Sequence, residues 1–284
     1  MARGTRGWLG RWWPLLVAGG LAVGLGVWAV LTVAALRTLP VTVPAGAVVS
    51  EVVDTLAVQT GIPVEEFTTA IAEEDLGLPE WAVGLEGHLA AGTIEVPVGA
   101  GAGAVLRQLV AVTQQRLAEV EPDQAAHAQL LIVASLVQQE IGSTEDAPHV
   151  AAVIVNRYRS NDSLLLDSTA RYVARDYGLL GDPTSTIDQW RKLRHANSTH
   201  NIARYPDSPI GSVNLAVLQA TVDPLDTPDR YFVMVDPVAG RLEYASTAVE
   251  YEQLMIQRQH WCIEQVQQGQ PLHWRCDAVA EPGS

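Results

Sequence analysis

Lysine is almost missing from this chain: Lys192 is the single one in 284 residues. Basic residues number 18 against 32 acidic ones, a formal net charge of −14. A nucleic-acid partner calls for a basic surface that neutralises phosphates, so that class of function is excluded. Cysteine is nearly absent too, with only Cys262 and Cys276. Two cysteines without a Cys-x-x-Cys pair fall short of the four ligands of a structural zinc site, and His149 and His195 bring no matching ligand set, so no metal and no cofactor are expected. Acidic residues are wholly missing from positions 1–37, which hold Arg3, Arg6, Arg11 and Arg37; the remainder carries 14 basic against 32 acidic residues, a balance of −18. No internal repeat is visible.

What is present is apolar: hydrophobic residues make up 48% and charged residues 18%, enough for a sizeable core in one or two domains. From 15 to 36 runs LLVAGGLAVGLGVWAVLTVAAL, 22 residues without a charge. At about 1.5 Å per residue a helix of that length reaches roughly 33 Å, enough to cross a bilayer's hydrocarbon core. A cleaved signal peptide is the competing reading, but its apolar stretch is shorter, about 7–15 residues, and Arg37-Thr38-Leu39-Pro40 is a poor cleavage site. Three arginines precede the span and one follows closely, which predicts a cytoplasmic stub at 1–14, a single-pass anchor in the cell membrane at 15–36, and the bulk of the chain outside. An oxidising compartment permits a Cys262–Cys276 disulfide closing a loop of about 15 residues, worth about 3 kcal/mol in the chain-entropy account. Two unpaired thiols are the alternative.

Beyond the anchor, turn and cap signals predict a strand at 41–44, a helix at 50–60 capped by Ser50, a second helix at 63–74 begun by Pro63, and a strand at 92–96. With the glycine-rich loop 99–103 and a helix at 104–120, this makes a small α+β unit over 37–120. Glu121-Pro122-Asp123 reads as a boundary. The unit at 121–269 follows: a helix closing at Glu140 with Gly142 in the left-handed position beyond it, a helix at 147–159 stopped by Asn161-Asp162, a helix at 212–222 capped by Ser212, a hairpin over 231–235 and 242–244, and a last helix at 248–268. The tail 270–284 reads as irregular.

Glu140 is the sharpest local feature. Val133, Leu136 and Val137 lie seven, four and three positions earlier, so the carboxyl shares a face with aliphatic side chains, in a last turn where the helix dipole is negative. Desolvation and dipole both disfavour the anion, and a carboxylic acid that keeps its proton is what glycosidic cleavage needs for the departing oxygen. The alternative is a side chain at a fraying helix end reaching water.

Ala134-Ser135-Leu136-Val137-Gln138-Gln139-Glu140, followed by His149-Val150-Ala151-Ala152-Val153-Ile154-Val155-Asn156-Arg157-Tyr158, resembles the A-S-I-V-x-x-E and V-A-x-V-x-x-N-R-L segments of the endolytic murein transglycosylase family (MltG, YceG-like). In order along the chain, Gly84-Leu85-Glu86-Gly87-His88-Leu89 resembles L-E-G-Y-L, and Leu166-Asp167-Ser168-Thr169 with Tyr172 resembles L-Q-x-D-P-T-V-x-Y. Ser198-Thr199-His200 stands where Asn-Thr-Tyr is usual, Pro206-Asp207-Ser208-Pro209-Ile210 where P-P-G-P-I is usual, and Tyr231-Phe232-Val233 where Y-F-V is usual. The chain departs at Gln138, where many members carry a second glutamate, at Gly211-Ser212-Val213-Asn214, which lacks the family's proline-glycine, and near Leu242 and Tyr251, where histidines are usual.

The resemblance implies an α+β architecture: one membrane helix, a small LysM-like subdomain and a larger helix-rich catalytic domain. It implies a lytic transglycosylase acting within peptidoglycan glycan strands and leaving 1,6-anhydro-N-acetylmuramic ends, with Glu140 as the catalytic acid. Asn156, Arg157, Asp167, Thr169, Tyr172, Ser198 and Thr199 are then expected to bind glycan, and cell-wall synthases become candidate partners beside the membrane lipid around the anchor. The alternative is a catalytically impaired glycan-binding or scaffolding protein of the same machinery.

Overall fold

The computed structural model describes residues 37–271 apart from 203, together with 273 and 276. The stub and apolar span expected at 1–14 and 15–36 lie outside the described residues, as does most of the 270–284 tail. Among the described residues no helix is long and apolar enough to cross a membrane.

The architecture is α+β and helix-rich, with two separate two-stranded antiparallel sheets. In the first unit β1 (Thr38–Val43) pairs with β2 (Gly92–Pro97), Val41 opposite Ile94. Both strands alternate, so Val41, Val43, Ile94 and Val96 point inward. Helix α1 (Val49–Thr60) lays Val52, Val53 and Leu56 on that face and ends at Gly61, whose φ of 74° suits glycine. Helix α2 (Val64–Glu73) adds Phe67 and Ala70. The cap expected at Ser50 falls instead at Val48, whose backbone N–H donates to the Glu51 carboxylate at 3.2 Å.

Helix α3 (Ala102–Val120) belongs to two cores. Ala102, Val105, Leu106, Leu109 and Val110 complete the first, while Leu117 packs into a second built by α4 (His127–Glu140), α5 (Ala147–Arg159) and α8 (Leu215–Val222). Helix α4 buries side chains all round, which is what a central helix requires. Between these lie α6 (Asp167–Asp176) and the short α7 (Ile187–Trp190), neither legible in the sequence pattern. The hairpin of β3 (Tyr231–Asp236) and β4 (Arg241–Ala245) packs on α9 (Ala248–Gln267).

Two expectations near α4 and α8 fail for one reason: the backbone is engaged elsewhere. Ser212 does not cap α8. Its N–H donates to the Ala47 carbonyl and its carbonyl accepts from Gly46 N–H, both at 2.8 Å, so it bridges to the first unit, and Asn214 caps the helix through a 2.9 Å bond from Val217 N–H. Gly142 is not left-handed. Ile141 leaves α4 extended, and Gly142 meets the backbone of Gly240 in the β3–β4 turn, where an added Cβ would stand 2.5 Å from the Gly240 Cα. Gly142→Ala is therefore expected to cost about 1–3 kcal/mol. Urea titration measures it, and an unchanged midpoint would show that the hairpin yields freely.

Cys262, buried on α9, is bonded to Cys276 with their Cα atoms 6.1 Å apart. Thiol titration of denatured, unreduced protein should find no free cysteine; two free thiols would reject the bridge.

Candidate active site

A cleft of about 140 Å³ opens between the end of α4, the loop entering α6, strand β3 and one side of α9. Glu140 lines it from the last turn of α4 and is only 2% exposed. Val153, Phe232, Val233 and Met234 share the lining with Arg157, Asp167, Arg230 and Arg258, so the wall around the carboxyl mixes apolar and charged side chains. The close approach of Gly142 and Gly240 draws the hairpin over this helix end.

Arg157 and Asp167 line the same cleft. The Arg157 guanidinium donates to the Ser163 carbonyl from Nε at 3.1 Å and Nη2 at 2.5 Å, and to the Arg230 carbonyl from Nη1 at 3.1 Å. It thereby ties the entrance loop of α6 to the start of β3, and it lies 5.2 Å from the centre of the Tyr231 ring. Asp167 accepts a bidentate pair from Arg191, 2.8 Å at each oxygen, with His200 Nε2 3.2 Å from Oδ1. Burial pushes the Asp167 carboxyl up, but the hydrogen bonds and charges of Arg191 and His200 more than offset it and hold it well below the usual carboxylate range. The cleft therefore contains one carboxylate fixed as an anion by Arg191 and His200 and, at the end of α4, a second carboxyl group that is nearly inaccessible.

The remaining sequence candidates sit around the cleft rather than in its wall. Thr169 and Thr199 are fully buried behind it, with hydroxyl oxygens 2.9 Å apart; Thr199 Oγ1 also accepts from Leu166 N–H at 2.9 Å, and Thr169 Oγ1 donates to the Leu166 carbonyl. Ser198 is equally buried and accepts from the Asn201 amide. Asn156 donates to the carbonyls of Thr227 and Asp229, at 2.8 and 3.0 Å, and so anchors the loop before β3. Tyr172 packs against the second core and meets Glu86 of the first unit. Burial raises its phenol, and the nearby Glu86 and Asp176 charges raise it further.

Several lining residues carried no signal in the sequence: Leu165, Arg230, Met255 and Arg258. Tyr251, where a histidine is usual, lies in the cleft and stacks on Tyr231 at 5.0 Å. Leu242, at the other histidine position, is core. The Gln138 side chain accepts from Asn214 N–H at 3.3 Å and holds the start of α8. Among the described residues no group of three or more metal-ligating side chains converges.

No curated protein matches this chain. A crystal structure of a putative YceG-like protein from Listeria monocytogenes superposes with a TM-score of 0.64 at 17% identity, covering 76% of each chain, which places the fold. The YceG-like family model matches residues 25–257, through both units, nearly all of the cleft and the first half of α9. The chain belongs to the YceG-like family.

Proposed function

We propose that this protein is an endolytic lytic transglycosylase of peptidoglycan, with Glu140 as both acid and base. The observation that carries the reading is a nearly inaccessible glutamate in the wall of a cleft whose other carboxylate, Asp167, is neutralised by Arg191 and His200. Glu140 protonates the glycosidic oxygen as the bond to the muramyl C1 breaks. It then takes the proton of that sugar's own C6 hydroxyl, which closes on C1 as the 1,6-anhydro ring. The nucleophile is tethered to the reacting ring, so attack gains from high effective molarity and one carboxyl serves both transfers. A hydrolase would need a second carboxylate to direct water, and Asp167 is the candidate for that role.

Arg157 acts on cleft shape by holding its two walls at Ser163 and Arg230. Thr169, Thr199 and Ser198 support the loop that presents Asp167, while Asn156 fixes the approach to β3. In this reading the apolar span 15–36 anchors the protein in the inner membrane with its N-terminus cytoplasmic, and the cleft meets glycan strands outside, beside cell-wall synthases. Tyr251 at a usual histidine position favours a second reading, a glycan-binding scaffold that has lost turnover. Full-length protein in detergent, incubated with purified sacculi and followed by mass analysis of the fragments, separates the two. New anhydro-muramyl ends support cleavage; unchanged sacculi with protein bound leave the scaffold.

A further inference from the structure

Leu165 is the one described leucine in the left-handed region, at φ 55°, a conformation costing a residue with a Cβ about 1 kcal/mol or more. The surroundings enforce it. On one side the Ser163 carbonyl is held by two nitrogens of Arg157; on the other Leu166 N–H is held by Thr199 Oγ1, and Leu165 N–H itself reaches the Thr199 carbonyl at 3.4 Å. Leu164 and Leu166 are each 5% exposed and anchor the flanks in the core. Between them Leu165 is 51% exposed, two residues before Asp167, on the lining of the cleft. Packing does not explain this side chain, and the backbone would be easier with glycine.

We infer that Leu165 is a substrate-positioning residue: the strained turn holds its isobutyl group out as an apolar platform for the C–H face and acetamido methyl of an aminosugar ring bound beside Glu140. This rests on the glycan-cleaving reading above and assigns it a contact. Burying an exposed leucine against sugar carbon releases water from both surfaces, and the fixed backbone removes the ordering cost of presenting it. Rigid placement matters for a strand that must set one glycosidic oxygen against one carboxyl.

The variants Leu165→Gly and Leu165→Asn, both tolerant of positive φ, test this in full-length protein. The expected result is a Tm equal to or above that of wild type, with KM for glycan strands raised about 5- to 20-fold and kcat changed less. The same pair built on Glu140→Gln and measured by strand binding should lose affinity by a similar factor, which keeps the inference testable if wild type binds without cutting. Wild-type KM and affinity in a stabilised Leu165→Gly would overturn it. So would a fall in Tm with unchanged KM, which marks a packing residue. Binding without cleavage by wild type would overturn the transglycosylase reading alone, while wild type that neither binds nor cuts would overturn both.

Discussion

Glu140→Gln is expected to lower the release of anhydro ends by about two to four orders of magnitude while leaving the Tm within a few degrees of wild type. Glutamine keeps the shape of the side chain in the cleft wall but has no proton to give to a departing sugar oxygen. A purely structural Glu140 predicts that the activity persists, since the isostere leaves no cavity. Asp167→Asn belongs in the same experiment. It breaks the bidentate pair with Arg191, so a moderate loss is expected from a displaced loop, with anhydro ends still formed. Reducing ends from wild type, lost equally in both variants, would instead establish a two-carboxylate hydrolase.

The second large effect lies outside the cleft lining, in the Leu85-Glu86-Gly87-His88 segment. Gly87, at φ 78°, packs so closely on Pro209 that a Cβ would come within 2.3 Å of the proline ring. The flanking side chains are shut in at the junction of the two units. Burial lowers the His88 imidazole to about 4 from an ordinary 6.5. Burial raises the Glu86 carboxyl to about 7 from 4.5, against the pull of the Val49 and Gly87 N–H groups and of Arg175. Below pH 6.5 the unfolded chain protonates His88 while the folded one does not, so stability falls as pH drops from 6.5 towards 4. Above pH 4.5 the unfolded chain releases the Glu86 proton that the folded one keeps, so stability falls as pH rises from 4.5 to 7. Each limb is worth about 3 kcal/mol at most, and the two slopes oppose each other between pH 4.5 and 6.5. Wild type should therefore vary little across that window. Glu86→Gln should become about 3 kcal/mol more stable on going from pH 4 to 6.5, and His88→Phe about 3 kcal/mol less stable from pH 4.5 to 7. Urea titrations at four pH values measure this, and two variants as flat as wild type would reject it.

The Glu140 segment was legible because its signal is local. Val133, Leu136 and Val137 precede it at helical spacing, and the 231–244 hairpin and last helix likewise announce themselves through strand-rich residues, a turn and an apolar periodicity. Helix α6 carries no clear apolar period because its inward face is Ser168, Thr169, Ala170, Val173 and Ala174, small or polar residues in a polar stretch. The roles of Asn156, Thr169 and Thr199 are set by partners at separations of 71, 30 and 33 residues, which no periodicity reports. Arg191 is the clearest loss. It secures Asp167 from 24 positions away, at the end of the short helix α7, in a stretch without periodicity or motif. The same distance effect misled the reading of Ser212, a sound cap by type whose backbone was already committed to Ala47.

Helix α3 sets how the protein comes apart. One continuous rod furnishes Leu106 and Leu109 to the first core and Leu117 to the second, so neither core can dissolve without withdrawing a wall from its neighbour. The covalent frame thus fuses what the composition divides, and the two units are expected to share a single melting event rather than a sequence of two. During synthesis the first unit is incomplete until α3 has emerged, and by then the same helix already offers the surface on which α4 must settle. Damage in the small α+β core consequently reaches Glu140 through the loss of folded protein, with no change in the cleft itself.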